Sequence, residues 1–291
     1  MVSERGERRA AGPGTLYVVA TPIGNLGDLS PRAAEVLRGV RAVAAEDTRR
    51  TLKLFAHLGA PAPALVSLPA FDERGRVATI VERLLAGESV ALCTDAGTPG
   101  VSDPGAALVA AAWAAGARVV PVPGPSAALA ALAASGFPAD RFLFAGFLPR
   151  KGAGRAEALG LLAATPATLV LYEAGNRTRE TLADLGAALG DREALVAREL
   201  TKLHEELLRG RLSALAARLE GEVRGEVTLV VSGEGAAPRA SAAPEIPLEE
   251  ELARRLAAGE APSAIAREVA RARGLKRADV YSALERLKKG G

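Results

Sequence analysis

The sequence is short of the residues that staple, ligate or anchor a chain. A single cysteine, Cys93, leaves no internal disulfide possible, and a thiol-poor chain suits a reducing compartment. With that one thiol and two histidines, His57 and His204, a zinc site lacks ligands, and no metal is expected. Aromatic residues make up only 3%, so any core must be built from Ala, Leu and Val. The longest apolar run, 106–117, stops at Arg118 and falls short of the roughly 20 residues that span a bilayer, so no membrane span is expected. The charged stretch 1–14 has no apolar centre of the kind a signal peptide carries, and the expectation is a cytoplasmic protein. The net charge of +3 does not by itself mark a nucleic-acid binder. Neither G-x-G-x-x-G nor G-x-x-x-x-G-K-[ST] occurs, which removes the main support for a nicotinamide or flavin enzyme and for a P-loop nucleotide triphosphatase.

What is present alternates. A chain of 291 residues suits two domains and an appendage, on a prior of about 150 residues per domain. Short aliphatic runs at 16–20, 42–45, 65–68, 90–94 and 118–122 read as strands, with helices starting near Pro31, Arg49, Arg74 and Gly105. Runs apolar on both faces suit a mostly parallel sheet covered by helices. A second series begins near Arg141, with strands at 142–147, 168–172, 194–199 and 227–231 and helices at 155–163, 177–189 and 212–219. The expected organisation is a tail 1–14, an α/β domain 15–125, a second α/β domain 126–232, a Gly/Ala/Pro/Ser linker 233–247 and a helical module 248–291. Within the module, 248–258, 263–273 and 276–288 read as amphipathic helices whose apolar spacing suits a helix-turn-helix. Past Ser263, basic residues outnumber acidic ones.

Three glycine-bearing loops, 21–28, 95–105 and 122–127, follow strands of the first series, where an α/β sheet presents its carboxyl edge to ligands. Any one of them alone is best read as a tight turn. The loop Asp95-Ala96-Gly97-Thr98-Pro99-Gly100-Val101-Ser102-Asp103-Pro104-Gly105 holds more Gly, Pro and Asp than a turn requires, and it is the leading candidate for a binding loop.

The stretches Ala20-Thr21-Pro22-Ile23-Gly24-Asn25-Leu26, Ala45-Glu46-Asp47-Thr48-Arg49, Asp95-Ala96-Gly97-Thr98-Pro99, Val122-Pro123-Gly124-Pro125-Ser126 and Gly146-Phe147-Leu148-Pro149 resemble, in order and spacing, the ribosomal RNA small-subunit methyltransferase I family. The resemblance covers about residues 15–232, more weakly the C-terminal module. It implies a two-domain α/β fold of the tetrapyrrole-methylase type with a small C-terminal helical module, usually a homodimer, holding S-adenosylmethionine between its domains. The implied reaction is methylation of a cytidine ribose 2′-hydroxyl in the decoding region of 16S ribosomal RNA, within the small ribosomal subunit. Carried over by motif, the cofactor contacts are Asp95, Ala96, Gly97, Val101, Ser102, Ser126, Ala127 and Leu148, and the loops 22–28 and 46–49 face the substrate. Two places depart from the family pattern. Gly175-Asn176-Arg177 stands where Pro-His-Arg is usual, and Ser67-Leu68-Pro69-Ala70-Phe71-Asp72-Glu73 replaces a His-rich stretch.

Methyl transfer from a sulfonium is an in-line displacement. Alignment supplies about 7 to 11 kcal/mol against roughly 3 to 5 for a general base, so no strong base signature is required. Glu46 and Asp47, together at the end of a buried run, are the candidate bases, and Asp47 suits an N-cap equally well. For RNA, the candidate contacts are Asn25, Asp28, Arg49, Arg50 and Lys202, with Arg267, Arg271, Lys276 and Arg277 in the terminal module. Each of these cations has the plainer reading of a solvated surface charge. Cys93 and the two histidines read as structural. Two rival functions stay open: methylation of a tetrapyrrole precursor by the same fold, and non-catalytic RNA binding in ribosome assembly.

Overall fold

Strands that are apolar on both faces need cover on both sides, and the first half of the chain is built that way. In the computed structural model, which describes residues 12–69, 73–219, 224–233, 247–273 and 276–289, β1 (Thr15–Val19), β2 (Ala42–Ala45), β3 (Ala64–Ser67), β4 (Val90–Cys93) and β5 (Arg118–Val122) form one sheet in the order β3-β2-β4-β1-β5. All four pairings are parallel. Alternate residues feed two cores. Leu16, Ala42, Ala44, Val90 and Leu92 pack with Ile80 and Leu84 of α3 (Glu73–Leu85) and with Leu108 and Ala112 of α4 (Ala106–Ala114). On the other face Val19, Val43, Ala45, Ala91 and Cys93 meet Leu37 of α1 (Pro31–Gly39) and Phe55 of α2 (Thr48–His57). Cys93 is core, with burial pushing its thiol up to about 12.

The second sheet joins β6 (Phe142–Phe147), β7 (Thr168–Ala174), β8 (Glu193–Arg198), β9 (Glu206–Arg211) and β10 (Glu226–Val231) in the order β6-β7-β10-β8-β9. Here, unlike in the first sheet, most pairings are antiparallel. Only β6 and β7 run parallel, while β10 is antiparallel to both β7 and β8, and β8 is antiparallel to β9. The reason is local: the connection 199–205 carries no helix, and a short connection without a crossover returns the chain antiparallel. α5 (Ala127–Ser135) covers one face through Ala128, Ala131 and Leu132, against Val170, Leu195 and Val230. On the opposite face, α6 (Ala153–Ala163), α7 (Thr178–Leu189) and α8 (Leu212–Arg218) supply Leu162, Leu182, Leu185, Leu212 and Leu215.

One buried cation ties the second lobe together. Arg155, 6% exposed, donates to Asp184 Oδ2 at 2.7 Å, Pro149 O at 3.0 Å and Thr181 Oγ1 at 2.9 Å, and Thr181 in turn donates to Glu173 Oε2 at 2.6 Å. A buried charge with every arm satisfied fixes the geometry around it.

Both sheets belong to one compact unit, 1–238, and a second unit comprises 239–291. The second unit packs α9 (Leu248–Ala257), α10 (Pro262–Arg273) and α11 (Arg277–Lys289) around Leu252, Ile265, Val269, Val280 and Leu284. Its helices sit where the apolar spacing placed them. Most of the expected linker 233–247, the turn 274–275 and the departure at 70–72 lie outside the described residues.

Candidate functional site

Parallel strands end on one edge, so the loops after β1, β4 and β5 are brought together, and short bonds stitch them. Thr21 and Gly97 exchange backbone hydrogen bonds, with Thr21 N donating to Gly97 O at 2.8 Å and Gly97 N to Thr21 O at 3.0 Å. Thr98 Oγ1 donates to Pro125 O at 3.3 Å and joins the second loop to the third. The loop 95–105 needs left-handed backbone at Gly97 (φ 79°) and at Ser102 (φ 64°), where a residue with a Cβ accepts strain.

The second lobe approaches the same edge. A Cβ on Gly24 would stand 2.8 Å from Thr201 Oγ1 and 3.0 Å from Leu200 O, so only glycine admits the segment 200–202 so close to the first loop. That segment is held in a costly shape, with Glu199 at φ 50° and Thr201 at φ 66°. Lys202 Nζ fixes it by donating to Glu199 Oε1 and to Glu226 Oε2, both at 2.9 Å.

Between the lobes lies a cavity of about 470 Å³. Seven of the eight expected cofactor residues line it: Asp95, Ala96, Gly97, Val101, Ser102, Ser126 and Ala127. Leu148 does not. It is 4% exposed, belongs to the core of the second lobe and borders a neighbouring cavity instead. Of the substrate candidates, Arg50 and Lys202 reach the cavity wall. Asn25 accepts from Gly27 N at 2.9 Å to cap the short 3-10 turn Leu26–Asp28, and neither it nor Asp28 lines the cavity. Arg49 is 86% exposed and pairs with Asp47. Arg267, Lys276 and Arg277 are exposed on the second unit, and the side chain of Arg271 lies outside the described residues.

The two candidate bases separate. Asp47 is the N-cap of α2, accepting from Arg49 N at 2.8 Å, and its hydrogen bonds from Arg49 hold its carboxyl down at about 2. It caps α2 and does not line the cavity. Glu46 does line the cavity, and burial raises its carboxyl above the usual range, although Asp95 N donates to its Oε2 at 3.2 Å. Asp95 is likewise raised by burial, against the pull of Arg50, whose Nε stands 3.2 Å from its Oδ2.

Asp103 was not among the expected site residues. Burial first, then repulsion from Glu46 and Asp95, lifts it to about 7. A signal for it exists along the chain, since Asp103 sits inside the loop whose composition already marks it for binding. Tyr172, Phe147 and Glu173 also line the cavity, from β6 and β7. Tyr172 accepts from Ala128 N at 3.3 Å, and the Phe144 and Phe147 rings lie 4.9 Å and 5.6 Å from its own. Among the described residues no cluster of His, Cys, Asp and Glu suits a metal, and no helix is long and apolar enough to cross a membrane.

Comparison with known proteins agrees with this architecture. Residues 15–216 match the family model described as Tetrapyrrole (Corrin/Porphyrin) Methylases. A protein of Xylella fastidiosa named ribosomal RNA small subunit methyltransferase I is 53% identical over 225 residues, 76% of this chain and 82% of its own. A Micromonospora olivasterospora protein of the same name is 50% identical over 281 residues, 95% of this chain and 88% of its own. Among solved structures, diphthine synthase superposes with a TM-score of 0.60 at 18% identity, covering 75% of this chain and 90% of its own. A uroporphyrin-III C-methyl transferase from Thermus thermophilus, complexed with S-adenyl homocysteine, gives 0.55 at 23% identity, covering 75% and 97%. The chain therefore belongs to the tetrapyrrole methylase family and, within it, to the group named ribosomal RNA small subunit methyltransferase I.

Proposed function

We propose that this protein transfers a methyl group from S-adenosylmethionine to a cytidine ribose 2′-hydroxyl in the decoding region of 16S ribosomal RNA, acting on the small ribosomal subunit. The observation that carries the reading is the cavity between the lobes, where a binding loop of the first lobe faces β7 and β10 of the second. Its walls suit the methyl donor. Ile23, Val101, Phe147 and Val227 offer apolar surface to a nucleoside, and the carboxylates of Glu46, Asp95 and Asp103 complement a ligand bearing a sulfonium and an ammonium.

When bound, the donor supplies an electrophilic methyl on a cationic sulfur. The chain's own part is mostly alignment. Loop 95–105, stitched to its neighbours at Thr21 and Pro125, holds a fixed backbone surface, which is where the larger share of rate enhancement arises. Phe147 and Tyr172 line the opposite wall. The hydroxyl proton needs an acceptor, and Glu46, Asp95 and Asp103 are cavity carboxylates made more basic by burial, Asp103 to about 7. Cytidine, the ribose oxygen and the decoding region come from the family resemblance. The same reading takes the working unit as a homodimer, with Leu129, Phe142 and Leu143 of the first unit exposed and available to a second copy.

The experiment is direct. Purified protein is given methyl-labelled donor with 30S subunits, naked 16S RNA or a porphyrin precursor, and the label is located. Label on a cytidine ribose within the subunit is the expected result. Label on a base or a macrocycle, or none at all, defeats the proposal.

A further inference from the structure

Beside the cavity between the lobes lies a second one, of about 530 Å³, and the two share the wall formed by Phe147, Glu173 and Ala174. Their electrostatics are opposite. In the first, Glu46, Asp95, Asp103 and Glu226 outweigh Arg50 and Lys202. The second is bordered by Arg150, Arg177 and Asn176, with apolar surface from Phe147, Leu148 and Pro149. Its single carboxylate, Glu173, is 2% exposed and already engaged: it accepts from Thr181 Oγ1 at 2.6 Å and from Ala174 N at 2.9 Å, and pairs with Arg177 Nη1 at 3.3 Å. Arg177 Nη2 is buried and has no hydrogen-bond acceptor. Arg150 is exposed, and Phe147 presents 57% of its surface.

We infer that this second cavity is a nucleotide subsite, taking the phosphodiester and base of a residue that flanks the methylated one, with Arg150 and Arg177 on the phosphate, Phe147 against the base and Asn176 at its edge. The inference rests on the RNA reading above and deepens it, since it assigns substrate contacts to the second lobe. Guanidinium groups bind phosphate oxygens in a bidentate fork, and an exposed aromatic ring accepts any base by stacking. The wall is rigid enough to serve. Arg155 donates to Pro149 O at 3.0 Å and, through Thr181, holds Glu173, so both sides of the cavity hang on one buried cation. The contrast in charge also sorts the ligands. A cationic methyl donor is favoured in the acidic cavity, and an anionic phosphodiester is repelled from it toward the basic one.

The test measures two affinities on the full-length protein. Arg150→Ala and Asn176→Ala change exposed residues, and Arg177→Lys keeps a charge beside Glu173 while removing the fork. Binding of 30S subunits and of 16S RNA is titrated across salt concentrations, and binding of S-adenosylhomocysteine is followed by calorimetry. The expected result for Arg150→Ala is about a tenfold weaker RNA complex whose salt slope falls by about 0.7 to 0.9 log units for each phosphate left without its cation, with affinity for S-adenosylhomocysteine unchanged. Weaker S-adenosylhomocysteine binding with intact RNA binding would assign the cavity to the amino-acid end of the donor and overturn the inference. Unchanged RNA affinity in both Arg150→Ala and Arg177→Lys overturns it as well. A wild-type protein that methylates RNA while the variants bind normally sinks the subsite alone, whereas a wild-type protein that methylates no RNA sinks the parent reading.

Discussion

Replacing Asp103 by Asn should stabilise the protein above neutral pH and cripple the reaction. Burial lifts the Asp103 carboxyl from 3.8 to about 7. Across that interval the folded chain binds the proton that the unfolded chain has released, so stability falls as pH rises from about 4 to about 7. Below the window both states are protonated and the penalty vanishes; above it the penalty is complete. At 1.36 kcal/mol per pKa unit the full shift is worth about 4 kcal/mol, and partial solvent access to this half-buried carboxyl reduces that to about 2. Asn cannot ionise and keeps an oxygen for the Thr94 hydroxyl, which contacts Asp103. The variant should match wild type near pH 4 and melt about 4 to 8 °C higher at pH 8. Single-turnover methyl transfer should fall by about 10² if Asp103 accepts the hydroxyl proton. Wild-type affinity for the cationic donor should also strengthen between pH 6 and 8, as the carboxylate forms, and the variant should lose that dependence. A melting difference that stays constant from pH 4 to 8 would refute the linkage argument.

Gly97→Val should abolish donor binding by calorimetry while circular dichroism stays native, because φ 79° excludes a β-branched residue and the loop must refold locally. Retained affinity would move the donor elsewhere. Asp47→Ala should lower the melting temperature through the lost cap of α2 and leave single-turnover methyl transfer within about threefold of wild type. A loss of 10² or more would restore Asp47 as a candidate base.

The first sheet was legible because its strands carry apolar residues on both faces and end at Gly/Pro loops, a pattern that parallel α/β sheets enforce. Two elements were not. β9 buries only Leu208 among Glu206–Arg211 and carries charges on either side, as an edge strand does, so its period-2 signal is weak. α5 is Ala and Leu on every side, with no polar stripe to reveal a helix, and its role becomes plain only when Ala131 and Leu132 are seen against the second sheet. The site divides in the same way. Loop 95–105 announced itself by composition, and seven of its family-derived cofactor positions, counting those at the third loop, border the cavity. Tyr172 and Glu173 could not be read forward, because what brings them to the site is the meeting of two sheets, not any spacing along the chain. Leu148 shows the converse. It sits in a motif the family shares, yet its side chain serves the core.

The charge pattern then separates the reaction's two partners. A net charge of +3 suggests little about RNA, but it averages over an acidic cavity and basic surfaces. Arg50 is engaged by Asp95, and Lys202 by Glu199 and Glu226, so the cations of the first cavity mainly offset its own carboxylates. A phosphodiester gains little by entering there. A ribose hydroxyl, which is neutral, loses little. On the proposed reading, the acidic lining favours the cationic donor and admits the reacting end of the nucleotide, while its phosphates stay outside, where Arg150 and Arg177 border the adjoining cavity. Selectivity of this kind comes from the difference between two neighbouring fields, and it should fade as salt screens the outer one, because exposed Arg150 is screened within about 10 Å at 0.1 M and the half-buried carboxylates much less.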